Sequence, residues 1–562
     1  MNILGITDTI TDSGIAYLQD DKLLMAVNEE RFTRKKIQGG FPEESLKYFL
    51  DEFNPNEVDL ITIGGVLTPT IITRAFPRIE KIDKYEAKRG QLTERFIDFL
   101  EYGLKVNTRI KPESKTASVL EYLSEKMIRR KLPEELKDKP LKLKDHHFSH
   151  ACSAYYCSEF KSSLVATFDG FGDGYSSKIY SVKDGNFEEV FKADGLDSFG
   201  LFYSLITVLC GYKEHRHEGK ITGLAALGDE SNISLNFPFE LTSEMDLKYT
   251  GSYGRKGIKE LKKKLQGKKK KDIAAWVQSN TEKYICQLIK HYLKETGHSN
   301  VALAGGVTAN VKLNQRINEL DQVDGIYIYP AMSDAGLSHG SILSEVKKRQ
   351  VLTDVNLGPS FSDDEIEGEL KKANLEYEKV DDLEVRVARF LADGLVVARF
   401  NGSMEYGPRA LGNRSILTQA TDSSINNSLN KKLDRTEFMP FAPVIIDRCV
   451  DECLVGSKGA ELTYKFMNIS FDVTDHMKEK CPAAVHVDKT ARPQVISKDD
   501  NYSFYKILDE YNKITGLPAI INTSFNAHGE PIVSNPEQAI KSFLKTNLDV
   551  LAIGNFIIKN DS

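Results

Sequence analysis

Apolar and polar residues alternate in two stretches that share one order of elements. Residues 3–8, 14–19 and 22–28 read as strands, joined by a polar loop at 9–13 and an Asp20-Asp21 turn. The same order returns about 160 residues later, with strands at 163–169, 177–182 and 186–191, a Gly-rich loop at 170–174 and a turn at 183–185. This recurrence predicts an internal duplication: two similar α/β lobes, each opening on a strand that ends in Asp and each turning that carboxylate toward a shared cleft. A helical stretch at 341–350 gives way to Leu357-Gly358-Pro359-Ser360-Phe361-Ser362, a breaker cluster that puts a domain boundary near residue 355. Beyond it, amphipathic helices at 364–373 and 384–393 and apolar strands at 395–400 and 518–521 predict a second α/β domain. The expected fold is α/β throughout, with domains at 1–355 and 356–562.

Composition narrows the class without naming a function. The 562 residues are 41% hydrophobic and 28% charged, which is globular usage. The longest apolar stretch, 201–212, is broken by Ser204 and Thr207 and falls far short of the roughly 20 residues that cross a bilayer. The opening residues lack a basic segment and carry Asp8 where a secretory core would run, so a cytoplasmic protein with no membrane partner is expected. A net charge of −6 argues against nucleic acid as the main partner. The lysines at 262–264 and 268–271 have no interleaved aromatics and read as a solvated surface loop. Seven Cys, an odd number, form no disulfide framework, and Cys449 and Cys453 lack zinc-site spacing.

Chemistry-bearing residues gather in a few places. Asp145-His146-His147-Phe148-Ser149-His150 is the densest His cluster in the chain. In a helix over 144–154, His146 and His150 share a face at metal-ligand spacing; the alternative is a polar helix N-terminus. Asp169 and Asp334 each follow an apolar strand and enter a Gly-containing turn, so they could complete a two-His, two-Asp site for iron, manganese or zinc. Gly305-Gly306, after a buried strand and before Asn310, offers backbone N–H groups to an oxyanion, although tight strand-to-helix turns need Gly in any case. Arg409, Arg414 and Arg492 lie among Gly, Pro and small residues, which aims them at an anionic ligand unless they are surface loop residues.

These stretches occur in one order with Asn28-Glu29-Glu30-Arg31-Phe32-Thr33-Arg34-Lys35, Ser333-Asp334-Ala335-Gly336, GPRALGNRS at 407–415, ARPQ at 491–494 and NTSFNAHGEPIV at 522–533. Together they resemble the ATP-dependent O-carbamoyltransferase family (NodU/CmcH/TobZ-like). The resemblance implies an N-terminal actin-like ATPase domain, a duplicated ribonuclease-H-like fold related to tRNA threonylcarbamoyladenosine transferase, which holds a metal and performs the transfer. It also implies a C-terminal YrdC-like domain that makes carbamoyl adenylate from carbamoyl phosphate and ATP with Mg2+. The carbamoyl group would pass to a hydroxyl of a small-molecule or sugar acceptor. By motif position, His146, His150, Asp169 and Asp334 match the metal ligands, with Fe2+ preferred over Mn2+ or Zn2+. Arg409, Arg414, Arg435, Arg492, Asn522 and Ser524, with Gly305, Gly306 and Asn310, fall in the motifs that hold nucleotide and carbamoyl groups. A homodimer is compatible with this reading.

The chain departs from the family pattern at three positions. The family's His-Asp in the first loop is Thr11-Asp12 here, and Thr is no base near neutral pH. Asp12, and after it Glu218, is the candidate to take the acceptor proton, unless Asp12 only caps its turn. After GPRALGNRS the family shows Lys-x-Arg-Glu-x-Phe-Arg-Pro-Phe-Ala-Pro, whereas this chain has Leu433 and Met439 at two cationic positions. Lys431 or Lys432 could substitute only with a small shift. Two rivals follow: a member that uses a related acyl or carbamate donor, and a degenerate, non-catalytic nucleotide-binding subunit. A tRNA-directed role is a further alternative.

Overall fold

In the computed structural model, the described residues are 1–75, 110–433 and 441–560. Arg435 and Met439 lie outside them. The chain forms two compact units, one of Met1–Glu29 with Ile37–Val351 and the other of Glu30–Lys36 with Leu352–Ser562. No breaker cluster announces the excursion of Glu30–Lys36 into the second unit, and a single boundary near residue 355 does not contain it.

Each half of the first unit is a five-stranded sheet. β1 (Ile3–Thr7), β2 (Gly14–Gln19), β3 (Lys22–Asn28), β4 (Leu60–Gly64) and β5 (Leu141–Lys144) take the order β3-β2-β1-β4-β5. β6 (Ser162–Gly172), β7 (Tyr175–Lys183), β8 (Asn186–Asp194), β9 (Asn300–Ala304) and β10 (Gly325–Ile328) repeat that path as β8-β7-β6-β9-β10. In both, three strands form an antiparallel meander, and the fourth and fifth add in parallel beside the first. The equivalence reaches single residues. Ile6 pairs with Ile63 as Thr167 pairs with Ala304, so Asp8 corresponds to Asp169, and Gly64-Gly65-Val66 to Gly305-Gly306-Val307. Asp20-Asp21 and Asp184-Gly185 all have positive φ, the backbone of the two-residue turns that match strand twist. The duplication read from the alternating pattern is thus a property of the fold.

Helix α1 (His146–Tyr156) leaves β5, and helix α2 (Leu337–Val346) follows β10. Two glycines set their approach: a Cβ on Gly340 would lie 2.2 Å from the Ser149 carbonyl oxygen, and one on Gly5 would lie 2.0 Å from that of Ser338. The helix expected over 341–350 therefore starts earlier, at Leu337, and ends where Lys347 turns left-handed with φ 50. The lysine tract is also corrected. Lys262, Lys263 and Lys264 close the helix Gly254–Lys264, while Lys270 and Lys271 open the helix Lys270–Thr296, so the tract is largely helical although exposed. The first three favourably meet a helix C-terminus.

The second unit is built on a mixed sheet. β11 (Glu378–Lys379), β12 (Val397–Phe400), β13 (Arg414–Gln419), β14 (Ala442–Ile446), β15 (Gln494–Ile496), β16 (Ala519–Ser524), β17 (Val550–Ile553) and β18 (Phe556–Lys559) run β11-β18-β17-β12-β13-β16-β14-β15. Helix α3 (Tyr502–Thr515) starts at Asn501, whose side chain accepts the Phe504 N–H, and ends at left-handed Gly516. It buries Phe504, Ile507, Leu508 and Tyr511, one face at helical spacing, worth about 1.5–3 kcal/mol for each fully buried apolar side chain. Segment Glu30–Lys36 is held in this unit by arginines. Arg31 donates to the Gly407 carbonyl at 2.7 Å, and Arg34 to the Ile532 and Pro531 carbonyls, both at 2.6 Å.

Gly305 combines φ 97 with a Cβ position 2.3 Å from the Phe168 carbonyl oxygen. Gly305→Ala should cost at least about 2 kcal/mol in denaturant unfolding, through backbone strain plus steric conflict. Gly297→Ala should cost only about 1 kcal/mol, since Gly297 has φ 72 and open space around its Cβ position. Equal losses would refute the close-approach argument.

Candidate active site

The four residues expected to bind metal converge in the first unit. Asp145 caps α1 by accepting the Phe148 N–H at 2.6 Å, which places His146 and His150 on successive turns. Both imidazoles are fully buried. Their Nε2 atoms each lie 3.1 Å from Asp169 Oδ2 and 3.6 Å from Asp334 Oδ1. All four ligand atoms fall within 4.8 Å of one another. Neighbouring ligands on an ion bound at about 2.1 Å sit roughly 3.0–3.4 Å apart, so the donor set and its spacing fit a divalent cation. The Nδ1 atoms of both imidazoles have no partner among the described residues.

Charge inside the cluster is balanced internally. Burial opposes a charged His146, but the Asp169 hydrogen bond and the charges of Asp334, Asp169 and Asp173 outweigh it and raise the imidazole to about 9. Burial would raise Asp169, yet its hydrogen bonds with His146 and His150 hold it well below the usual carboxylate range. His147 belongs elsewhere. Burial drives its pKa well down, and it sits between the Thr167 hydroxyl at 2.9 Å and the Tyr175 carbonyl at 3.2 Å. Two glycines make room: a Cβ on Gly172 would meet His146 Cδ2 at 2.0 Å, and one on Gly306 would meet Asp169 Oδ1 at 3.1 Å.

The other first-unit candidates take different positions. The Gly305 N–H donates to the Met332 carbonyl at 2.7 Å, so this amide serves the turn, not an oxyanion. Asn310 caps the helix Val311–Asn318, and its Nδ2 donates to Gln278 Oε1 at 2.8 Å. Asp12, at φ 54, accepts the Ser333 hydroxyl at 2.8 Å, one residue from Asp334. The Thr11 carbonyl accepts the Thr9 hydroxyl. Glu218 accepts from the His215 N–H of its own turn at 2.7 Å and from the Ser204 hydroxyl on the helix Phe199–Leu209 at 2.8 Å.

In the second unit, three motifs distant in sequence meet. Asn522 donates to the Ala410 carbonyl at 3.1 Å and to Gln494 Oε1 at 2.9 Å, while Gln494 donates to the Leu411 carbonyl at 2.8 Å. Beside them, Arg409 and Arg492 are partly exposed and lack a carboxylate partner among the described residues. Burial, then the charge of Arg492, drives Arg409 well below its usual range, and burial lowers Arg492 to about 10. Arg414, expected to hold ligand, is fully buried, and its Nη atoms donate to the carbonyls of Asn401, Gly402, Asn413 and Pro359. These four bonds organise the loop, while the Arg414 Nε has no partner among the described residues. Ser524 donates to Asn526 Oδ1. Leu433 is wholly buried and Lys432 pairs with Asp549, so neither restores a cation at the family's lysine position.

Sequence reasoning missed Asp173, Arg74, Arg399 and Glu405. Glu405 Oε1 accepts the N–H groups of Leu411, Asn413 and Arg414 and so shapes the GPRALGNRS loop. Only its position four residues before that motif's Arg-Ala pair was visible, which is no signal by itself.

The first unit thus carries a buried His/Asp cluster, and the second a pair of guanidinium groups with no carboxylate partner among the described residues. Residues 2–343 match the carbamoyltransferase N-terminus family and residues 388–560 the carbamoyltransferase C-terminus family. The chain belongs to the carbamoyltransferases. It is 32% identical to the uncharacterized protein MJ1051 of Methanocaldococcus jannaschii over 99% of both chains. It is 30% identical to nodulation protein NolNO of Sinorhizobium fredii over 99% of this chain and 80% of that one. HypF of T. kodakarensis aligns with 62% of this chain and 48% of its own at 13% identity and a TM-score of 0.36, too weak a likeness to carry an argument.

Wild-type protein should take up about one divalent ion, and His150→Ala and Asp334→Ala should each lose most of it while folded, as read by elemental analysis. Binding must displace the proton on His146, so affinity should rise with pH from 6 toward about 9. Full metal content in both variants would reject the site.

Proposed function

We propose that this carbamoyltransferase is ATP-dependent and works in two steps. In residues 356–562, read as YrdC-like, carbamoyl phosphate is cleaved by water to carbamate and phosphate. A carbamate oxygen then attacks the α-phosphate of ATP, giving carbamoyl adenylate and releasing pyrophosphate. In residues 1–355, read as an actin-like ATPase fold, an acceptor hydroxyl attacks the carbamoyl carbon, AMP leaves, and the hydroxyl proton passes to a base. The observation that carries this reading is the Arg409–Arg492 pair. Two neighbouring guanidinium groups without a counter-charge among the described residues disfavour one another, and a bound phosphate or carboxylate-like group would relieve both. The buried Asn522 Oδ1 has no partner among the described residues and stands ready for a donor such as a carbamoyl NH2.

A divalent ion held by His146, His150, Asp169 and Asp334, Fe2+ by preference, would supply Lewis-acid polarisation to the transfer step. The chain's own residues supply the rest. Asp12 is the preferred base, because its carboxylate sits beside the Asp334 turn through Ser333, whereas Glu218 is engaged by the Ser204 hydroxyl and the His215 N–H. The acceptor is a small-molecule or sugar hydroxyl. The buried Leu433 and the engaged Lys432 favour, as a second reading, a related acyl or carbamate donor in place of carbamoyl phosphate.

Pyrophosphate release that requires both ATP and carbamoyl phosphate tests the activation step; release with another carbamate-like donor alone would favour the second reading. Arg492→Ala should weaken ATP binding by more than about 1.5 kcal/mol in calorimetry, the loss of a charged hydrogen bond. Unchanged affinity would remove Arg492 from the site. With preformed adenylate, Asp12→Asn should slow single-turnover transfer by about 100-fold or more, and Glu218→Gln should slow it far less. Wild-type rates in both would dismiss the substitute base.

A further inference from the structure

We propose that Asp173 is a positioning residue that locks the metal-bearing helix α1 to the Asp169 loop, with Arg74 completing the clamp from the other side. Asp173 is fully buried, and its carboxylate accepts four backbone N–H groups. Oδ2 takes Val66 and His146, both at 2.9 Å, and Oδ1 takes Leu67 at 2.7 Å and Thr68 at 2.8 Å. The Asp173 N–H in turn donates to the Thr68 hydroxyl at 2.8 Å. One side chain therefore holds the first residue of α1 and the loop after β4, while its backbone continues the turn that begins at Asp169.

The loop at 65–68 spends its N–H groups on Asp173 and its carbonyls on Arg74. The Arg74 guanidinium donates to the carbonyls of Gly65 at 3.2 Å, Val66 at 3.1 Å and Thr68 at 3.3 Å. It also forms a two-point pair with Asp8, at 3.0 and 3.1 Å. Asp8 occupies the place in the first half that Asp169 occupies in the second, and each is followed across the sheet by a Gly-Gly-Val corner. In the first half the strand-end carboxylate is satisfied by a guanidinium of the chain itself. In the second it faces two imidazoles. The duplicated corner has thus divided its labour, one copy as a fixed ion pair and one as a ligand set, and Asp173 spans the two.

A ligand set drawn from a helix and two turns needs its parts held to within a fraction of an ångström, and such outer partners typically govern affinity by 10–100-fold. This inference rests on the metal reading above. The probe is Co2+ alone, titrated into full-length protein by visible absorption and chelator competition. Asp173→Asn keeps the shape but replaces an acceptor oxygen with NH2, and it should weaken Co2+ binding by about 10–100-fold and alter the absorption band. Asp197→Asn, at a buried carboxylate that accepts the Tyr249 N–H, should lose stability without change in Co2+ affinity, as a merely structural role predicts. Thr68→Val, which removes only the hydroxyl that receives the Asp173 N–H, should weaken binding a few-fold. Folded Asp173→Asn protein with wild-type affinity and spectrum overturns the clamp. Should Asp173→Asn fail to fold, wild-type affinity in Thr68→Val overturns it. Absence of Co2+ uptake by wild-type protein would instead sink the metal centre itself.

Discussion

A carboxylate at the end of the first strand in each half of the first unit has to be balanced where water scarcely reaches. Leaving such a charge unpaired would cost several kcal/mol. For Asp8 the balance is Arg74; for Asp169 it is a pair of imidazoles that donate hydrogen bonds. Much of the local architecture serves these two arrangements. Gly172 and Gly306 exist as glycines because a Cβ would crowd the His146 ring and the Asp169 carboxylate. Asp145 starts α1 one residue before the first imidazole, so the helix presents both rings to the same carboxylate.

The second unit poses the opposite problem, since its buried charges near the motifs are mostly cations. Arg399 and Arg414 are relieved by neutral carbonyls and hydroxyls: Arg399 donates to the Gly412 carbonyl and Ser503 Oγ, and Arg414 to four carbonyls. Burial, partly offset by Glu405, still lowers Arg414 to about 9. Among the described residues, Arg409 and Arg492 receive no such relief. Two arginines of one nonapeptide, Arg409 and Arg414, therefore have opposite fates: the second builds the loop, and the first keeps a buried Nε without a partner among the described residues.

The duplication and the four-residue cluster were legible because both depend on periodicity and on residue types with few alternative uses. An Asp at a strand end and two His four apart on a helix constrain the chemistry before any coordinates exist. The four carbonyl partners of Arg414 were not legible, because composition around a residue says nothing about which carbonyls fold back onto it. Asp173 was invisible for a related reason. Its partners are backbone N–H groups from residues 66–68 and 146, and any sequence has those groups. The excursion of Glu30–Lys36 likewise depends on two arginines finding carbonyls some 370 to 500 residues away, as in the separations of 376 and 498 positions for Arg31 and Arg34.

The departures from the family pattern acquire physical sense in place. Leu433 closes the helix Ser424–Lys432 and is wholly buried, so a lysine there would bring a charge into an apolar core. The loss of that cation is thus packed for, and the neighbouring Lys432 has taken Asp549 as its partner. Thr11 is different, because the loop around it retains polar chemistry: Asp12 adopts a left-handed backbone and reaches Ser333, the residue before a metal-ligand candidate. A histidine base acts from its own ring, whereas a carboxylate held by the Asp334 turn shares its position with the ligand set. The loop that carries Asp12 and the turn that carries Asp334 thus share one support, the Ser333 hydroxyl's bond to the Asp12 carboxylate.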